Sequence, residues 1–177
     1  MRLPALLLAL LAAGCSGAPA QLAHPAAQSG IMLKGSGEFS TNDPDIITYD
    51  RGLVPVGAQV NVTSESTSGR TLTSLVVENF RPGRAYGAHL HTKPCGTKGE
   101  DAGPHYQHVP GQVSTASEVW LDFTTDESGA GHASARHDWS LDSTRLPRSL
   151  IVHARPTTTS GPDIGMAGDR AACLTLK

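Results

Sequence analysis

Apolar positions along this chain recur every second residue far more often than at the 3.6-residue spacing of an amphipathic helix. Gln59–Ser64 reads Q-V-N-V-T-S and puts Val60 and Val62 on one face of an extended chain. Val119, Leu121 and Phe123 share a face in the same way over 119–125. Short β-branched runs occupy 46–49, 71–77 and 149–153, and 171–176 closes the series. Two further segments are set off by turns. Ala85–Thr92 follows Arg81-Pro82-Gly83-Arg84, and Gly131–Trp139 follows Asp126-Glu127-Ser128-Gly129. This pattern predicts about eight strands, no long helix, and one all-β domain built as an antiparallel sandwich or barrel. One stretch departs from it. Lys93–Ser117 holds Pro94, Gly96, Gly99, Gly103, Pro104, Pro110 and Gly111, and reads as a long loop of the kind that is usually functional or disordered.

The N-terminus has a different pattern. Arg2 precedes an apolar run, Leu3 to Ala13, broken only by Pro4. It is too short to span a bilayer, which takes roughly 20 apolar residues, and reads as a secretion signal over 1–14. The run ends in Leu11-Ala12-Ala13-Gly14-Cys15, which resembles a bacterial lipobox and makes Cys15 the expected lipidation site. The chain from 15 to 40, rich in Ala, Gly, Pro, Gln and Ser, is expected to be the anchor cysteine and a flexible tether, with the β domain at 41–177. The expected location is therefore extracytoplasmic, held to the outer face of the cell membrane by the lipid, or otherwise secreted. That lipid would be the only contact with a membrane.

Composition narrows the function. A formal charge of -2 argues against a general nucleic-acid binder. Eight His against three Cys is the unusual feature. With Cys15 used as an anchor, Cys95 and Cys173 remain, and an even pair in an oxidising compartment invites a disulfide. Two buried thiols or a pair of metal ligands is the alternative. His89 and His91 flank Leu90 on a predicted strand, so both imidazoles project from one face. His105 and His108 lie in the long loop that leaves this strand, and His153 ends the 149–153 segment. Four imidazoles from His89, His91, His105 and His153 would suit Cu(II), with Zn(II) competing on ligand type.

Gly87-Ala88-His89-Leu90-His91, Gly103-Pro104-His105, Val152-His153 and Gly168-Asp169-Arg170-Ala171-Ala172-Cys173 together resemble, in order and spacing, the copper/zinc superoxide dismutase family. The chain looks like a secreted bacterial member, over roughly 45–176. The resemblance implies an eight-stranded Greek-key β-barrel and a Cys95–Cys173 disulfide. It implies copper held by His89, His91, His105 and His153. It also implies that Arg170 attracts and positions the superoxide anion, and that His105 carries a proton. Copper can give and take one electron, whereas zinc has no redox chemistry.

The zinc half of the family site departs from the pattern. His105 fits the bridging ligand, and His108 is a further candidate, as a zinc ligand or as an outer partner of the site. No other His and no Asp stand between His108 and Val119. The expected cofactor is copper, with zinc weakly bound or absent. Glu118 is then the first candidate for the acceptor that orients His105, and Asp122 the next. Both would point away from the face of Val119 and Leu121. His132 and His137 are expected at the surface. Between His153 and Arg170 only Arg155 adds a positive charge for an anionic substrate. A non-catalytic copper-binding domain on the same fold is the competing function, and a β-sandwich adhesion module is a more distant one. Arg170 favours catalysis, since a storage site needs no cation to guide an anion.

Overall fold

A computed structural model describes residues 30–40 and 43–177. The signal segment, Cys15 and the first part of the tether lie outside the described residues. Among the described residues, nine strands form two antiparallel sheets: β1 (Ile31–Glu38), β2 (Ile46–Thr48), β3 (Gln59–Thr67), β4 (Arg70–Glu78), β5 (Ala85–His91), β6 (Phe123–Thr124), β7 (Gly131–His137), β8 (Ser149–His153) and β9 (Arg170–Thr175). One sheet runs β1-β3-β4-β7 and the other β2-β9-β8-β5-β6. β5, β6 and β7 follow one another, and β4 lies beside β7, which is a Greek-key arrangement. The sheets pack face to face as a sandwich rather than a strictly closed barrel.

The period-two pattern is realised directly. Val60, Val62, Leu75 and Val77 point into the sandwich from the first sheet, and Tyr86, Ala88, Leu90, Leu150, Val152, Ala172 and Leu174 from the second. Phe80 sits among Phe39, Tyr86 and Phe123, with ring centroids 5.6–5.9 Å away and edge-on geometry in each pair. Val119, Leu121 and Phe123 are buried on one face as expected. The regular strand there is nevertheless only two residues long, and 118–121 follows β5 through isolated pairings such as His89 with Trp120.

The tether expected over 15–40 is corrected at its end, because 31–38 is β1. It pairs with β3 along its whole length, from Ile31 opposite Ser66 to Glu38 opposite Gln59. Gly35 hides this strand from the sequence pattern, and the packing explains it. A Cβ there would stand 2.8 Å from the Thr175 carbonyl oxygen and 2.9 Å from the Leu174 side chain. The glycine marks where β1 closes against the end of β9, and Lys34 and Lys177 exchange backbone hydrogen bonds beside it. His137 is a second correction. Expected at the surface, it is buried at the end of β7, whereas His132, five residues earlier, is exposed.

The long loop is built rather than loose. Cys95 and Cys173 form a disulfide with a Cα–Cα distance of 5.7 Å. Tyr49 donates its hydroxyl to the Gly96 carbonyl (2.9 Å), the Cys95 amide donates to Thr175 Oγ1 (3.2 Å), and a 3-10 turn covers Gly99–Ala102. These contacts lay the loop over the outer face of β5, β8 and β9.

Candidate metal centre

β5 is buried on both faces, and this decides where its histidines go. Tyr86, Ala88 and Leu90 fill the sandwich, so His89 and His91 must face the loops, where both are fully buried. β8 is the neighbour of β5, and its last residue, His153, lies opposite Gly87. The returning loop pairs His105 with His91. One nitrogen from each of His89, His91, His105 and His153 lies within 4.8 Å of the other three. His108 does not join them. Its ring stacks on Trp139 at 4.5 Å, with an angle of 3° between the planes. That corrects the expectation of His108 as a zinc ligand or close partner of the site.

In each of the four, one ring nitrogen is tied to the protein and the other is turned inward. His91 Nδ1 donates to the Gly103 carbonyl (2.9 Å), and His153 Nδ1 donates to the Gly168 carbonyl (3.2 Å). His105 Nδ1 lies 2.8 Å from Glu118 Oε2, and His89 Nε2 lies 2.6 Å from the Thr157 hydroxyl. That leaves Nδ1 of His89 and Nε2 of the other three facing one another. His89 Nδ1 and His105 Nε2 are 3.0 Å apart, and Nε2 of His91 and of His153 is buried with no protein partner. Buried polar nitrogens without partners are costly unless something binds them. Four convergent imidazole lone pairs, each with its tautomer set from behind, are the donor set of a metal site.

The electrostatics agree. Burial, and then the crowding of neighbouring imidazoles and Arg170, pushes His89 far below the ordinary histidine range. Burial also pushes His91 down to about 2 and His153 down to about 4. These rings stay neutral at any physiological pH and present lone pairs, not protons.

Two carboxylates support the ligands from outside. Glu118 is buried and accepts three hydrogen bonds: from His105 and Trp120 Nε1 (2.7 Å) at Oε2, and from Gln107 Nε2 (2.7 Å) at Oε1. Burial alone would raise its pKa, but these donors outweigh it and hold the carboxyl below its ordinary range. Asp122 does not touch His105. It accepts from the Thr157 hydroxyl and backbone amide, both at 2.6 Å, and Thr157 in turn meets His89. Thr157, Gln107 and Trp120 are the participants that the sequence reading did not single out. Thr157 is the first of three threonines in a loop without periodicity, and nothing in the pattern marks it as the buried one.

Arg170 opens β9 opposite His153 and is half-buried. Its guanidinium donates to the carbonyls of Gly99 (2.6 Å) and Gly103 (2.8 Å). One carbonyl, that of Gly103, therefore fixes both Arg170 and His91. Arg155, by contrast, is exposed.

No protein-family model and no curated protein matches the sequence. A solved structure does match: Cu/Zn superoxide dismutase from Brucella abortus, with a TM-score of 0.55 and 19% sequence identity, over 84% of this chain and 99% of that chain. The fold is the copper/zinc superoxide dismutase fold. At that identity the likeness is one of architecture, and within it this chain carries its own four-histidine cluster and the Cys95–Cys173 disulfide.

Proposed function

We propose that this protein is a copper-dependent superoxide dismutase working outside the cytoplasm, converting two superoxide anions and two protons into O₂ and H₂O₂. The observation that carries this is the cluster of four convergent imidazoles with an arginine held one carbonyl away. Copper held by His89, His91, His105 and His153 would supply the one-electron chemistry in both directions that the reaction needs.

The chain's own residues do the rest. Arg170 stays cationic at all working pH and offers a fixed positive fork to a small anion. Its charge also favours encounter with superoxide. When Nε2 of His105 is not engaged by the metal it can hold a proton, because Glu118 accepts from Nδ1 and supplies the counter-charge for the imidazolium. That proton would then be available to superoxide as it is reduced by one electron to peroxide. The same Glu118 contact supports a site that takes copper without zinc, since a second ion at His105 Nδ1 would have to displace a 2.8 Å hydrogen bond from a carboxylate that is otherwise satisfied. The disulfide is consistent with an oxidising compartment. The signal at 1–14 and lipidation of Cys15 complete the proposal at the level of sequence.

The test is superoxide consumption by the mature protein refolded with both copper and zinc, with metal content measured on the same samples. Wild type is expected to bind copper, without stoichiometric zinc, and to consume superoxide. Arg170→Ala should keep copper and lose about tenfold or more in rate, and His153→Ala should lose copper. Activity unaffected by both changes would overturn the enzymatic reading, and stoichiometric zinc would overturn the copper-only one.

A further inference from the structure

Thr157 is a buried polar side chain in the loop that joins β8 to β9, and it stands between two groups that do not themselves meet. His89 Nε2 and Asp122 Oδ1 are 3.8 Å apart, beyond a hydrogen bond, while the Thr157 hydroxyl is 2.6 Å from each. The proton directions follow from chemistry. His89 turns Nδ1 toward the cluster, so its single N–H is on Nε2 and donates to the Thr157 oxygen. The threonine O–H is then free to donate to the Asp122 carboxylate, which can only accept. The Thr157 amide donates to the other oxygen of the same carboxylate. Asp122 thus grips Thr157 at two points and fixes where its hydroxyl can lie.

The packing brings Thr157 close to β5. A Cβ on Gly87 would stand 3.3 Å from its hydroxyl and 2.7 Å from both the Arg155 carbonyl oxygen and the Ala167 side chain. A glycine at 87 is what lets this loop come down onto β5. Thr158 and Thr159, next in the chain, are exposed and take no part.

We propose that Thr157 is a positioning residue for the metal centre. Its hydroxyl relays the Asp122 carboxylate to His89 and thereby sets both the tautomer and the ring orientation of that ligand. This rests on the reading of the four-histidine cluster as a copper site. His89 is the only one of the four that faces the cluster through Nδ1, so its ring approaches from a different direction and no backbone carbonyl backs it. The threonine supplies what Gly103 and Gly168 supply for His91 and His153.

The experiment compares full-length Thr157→Val, Thr157→Ser, Asp122→Ala and the Thr157→Val/Asp122→Ala double variant. Each is titrated with Cu(II) against a competing chelator, and its Cu(II) electron paramagnetic resonance spectrum is recorded. Thr157→Val keeps the shape and loses the hydroxyl, and should weaken copper binding about 10–100-fold with a changed spectrum. Thr157→Ser should keep wild-type affinity and spectrum, which separates the relay from loop packing. The double variant should bind copper no more weakly than Thr157→Val, because both changes cut one chain. Wild-type affinity and spectrum in Thr157→Val, or fully additive losses in the double variant, would overturn the relay. Failure of the wild-type protein itself to bind copper would instead overturn the metal-site reading.

Discussion

The two carboxylates beside the cluster do different jobs, and each was visible in the sequence to a different degree. Glu118 and Asp122 were legible because alternation puts both on the face opposite Val119 and Leu121. The partner of Glu118 was also inferable, since His105 lies in the same loop. The partner of Asp122 was not, because it reaches its histidine through a residue 35 positions away. Loop-to-loop contacts of that kind leave no periodicity to read. Glu118 is the sharper case for testing. Glu118→Gln keeps the volume but puts an amide where three donors converge, so at least one donor loses its partner. Leaving a buried polar group unpaired costs about 1–3 kcal/mol, and the lost charge deprives a protonated His105 of its counter-ion. The expected outcome is a variant that still binds copper through four histidines but consumes superoxide about 10–100-fold more slowly per copper. An unchanged rate per copper would show that Glu118 is not needed to orient His105.

At the scale of elements, strands with alternating side chains were readable and those interrupted by glycine were not. β3 and β4 keep the alternation for nine residues each. β1 breaks it at Gly35, where the neighbouring strand leaves no room for a side chain. The end of β7 shows a related failure: His132 and His137 are both expected at the surface, and only tertiary packing decides that the second is covered. His137 stacks on Trp139 at 4.3 Å, and Trp139 stacks in turn on His108 and donates Nε1 to the Ala116 carbonyl. The stack therefore ties β7 to the loop that carries His105 and Glu118. Burial, with His108 nearby, lowers the His137 pKa, and Asp138 only partly offsets this. A histidine whose pKa is lower in the fold than in the unfolded chain penalises folding once the unfolded form begins to protonate, near about pH 6.5, and the penalty grows as pH falls toward its folded value. Copper-loaded wild type should thus lose more stability between pH 7.5 and pH 5 than His137→Phe, which keeps a ring on Trp139 but cannot titrate. Denaturant midpoints at the two pH values measure the difference. Equal losses in the two proteins would mean that His137 does not contribute to acid sensitivity.

For the whole molecule, the sandwich supplies rigidity and the loops supply chemistry, and the disulfide is where the two are joined. Its cysteines are 78 residues apart, and it fixes the 93–104 segment to β9, a central strand of the second sheet. That segment carries the Gly103 carbonyl, which orients His91 and Arg170 together. A cross-link over this separation stabilises the fold by about 4 kcal/mol on the chain-entropy estimate. Cys95→Ser/Cys173→Ser should lower the unfolding free energy of the metal-free protein by about that amount. It should also weaken copper binding and slow superoxide consumption, because the Gly103 carbonyl is no longer held. The two effects can be separated with Arg170→Ala in the intact disulfide background, which frees the arginine but leaves the loop pinned. If the geometry is transmitted as described, Arg170→Ala reduces rate with copper affinity retained, whereas the cysteine variant reduces both. A cysteine variant that is less stable but binds copper with wild-type affinity would show that the remaining contacts, Tyr49 to Gly96 and Cys95 to Thr175 among them, suffice to seat the loop.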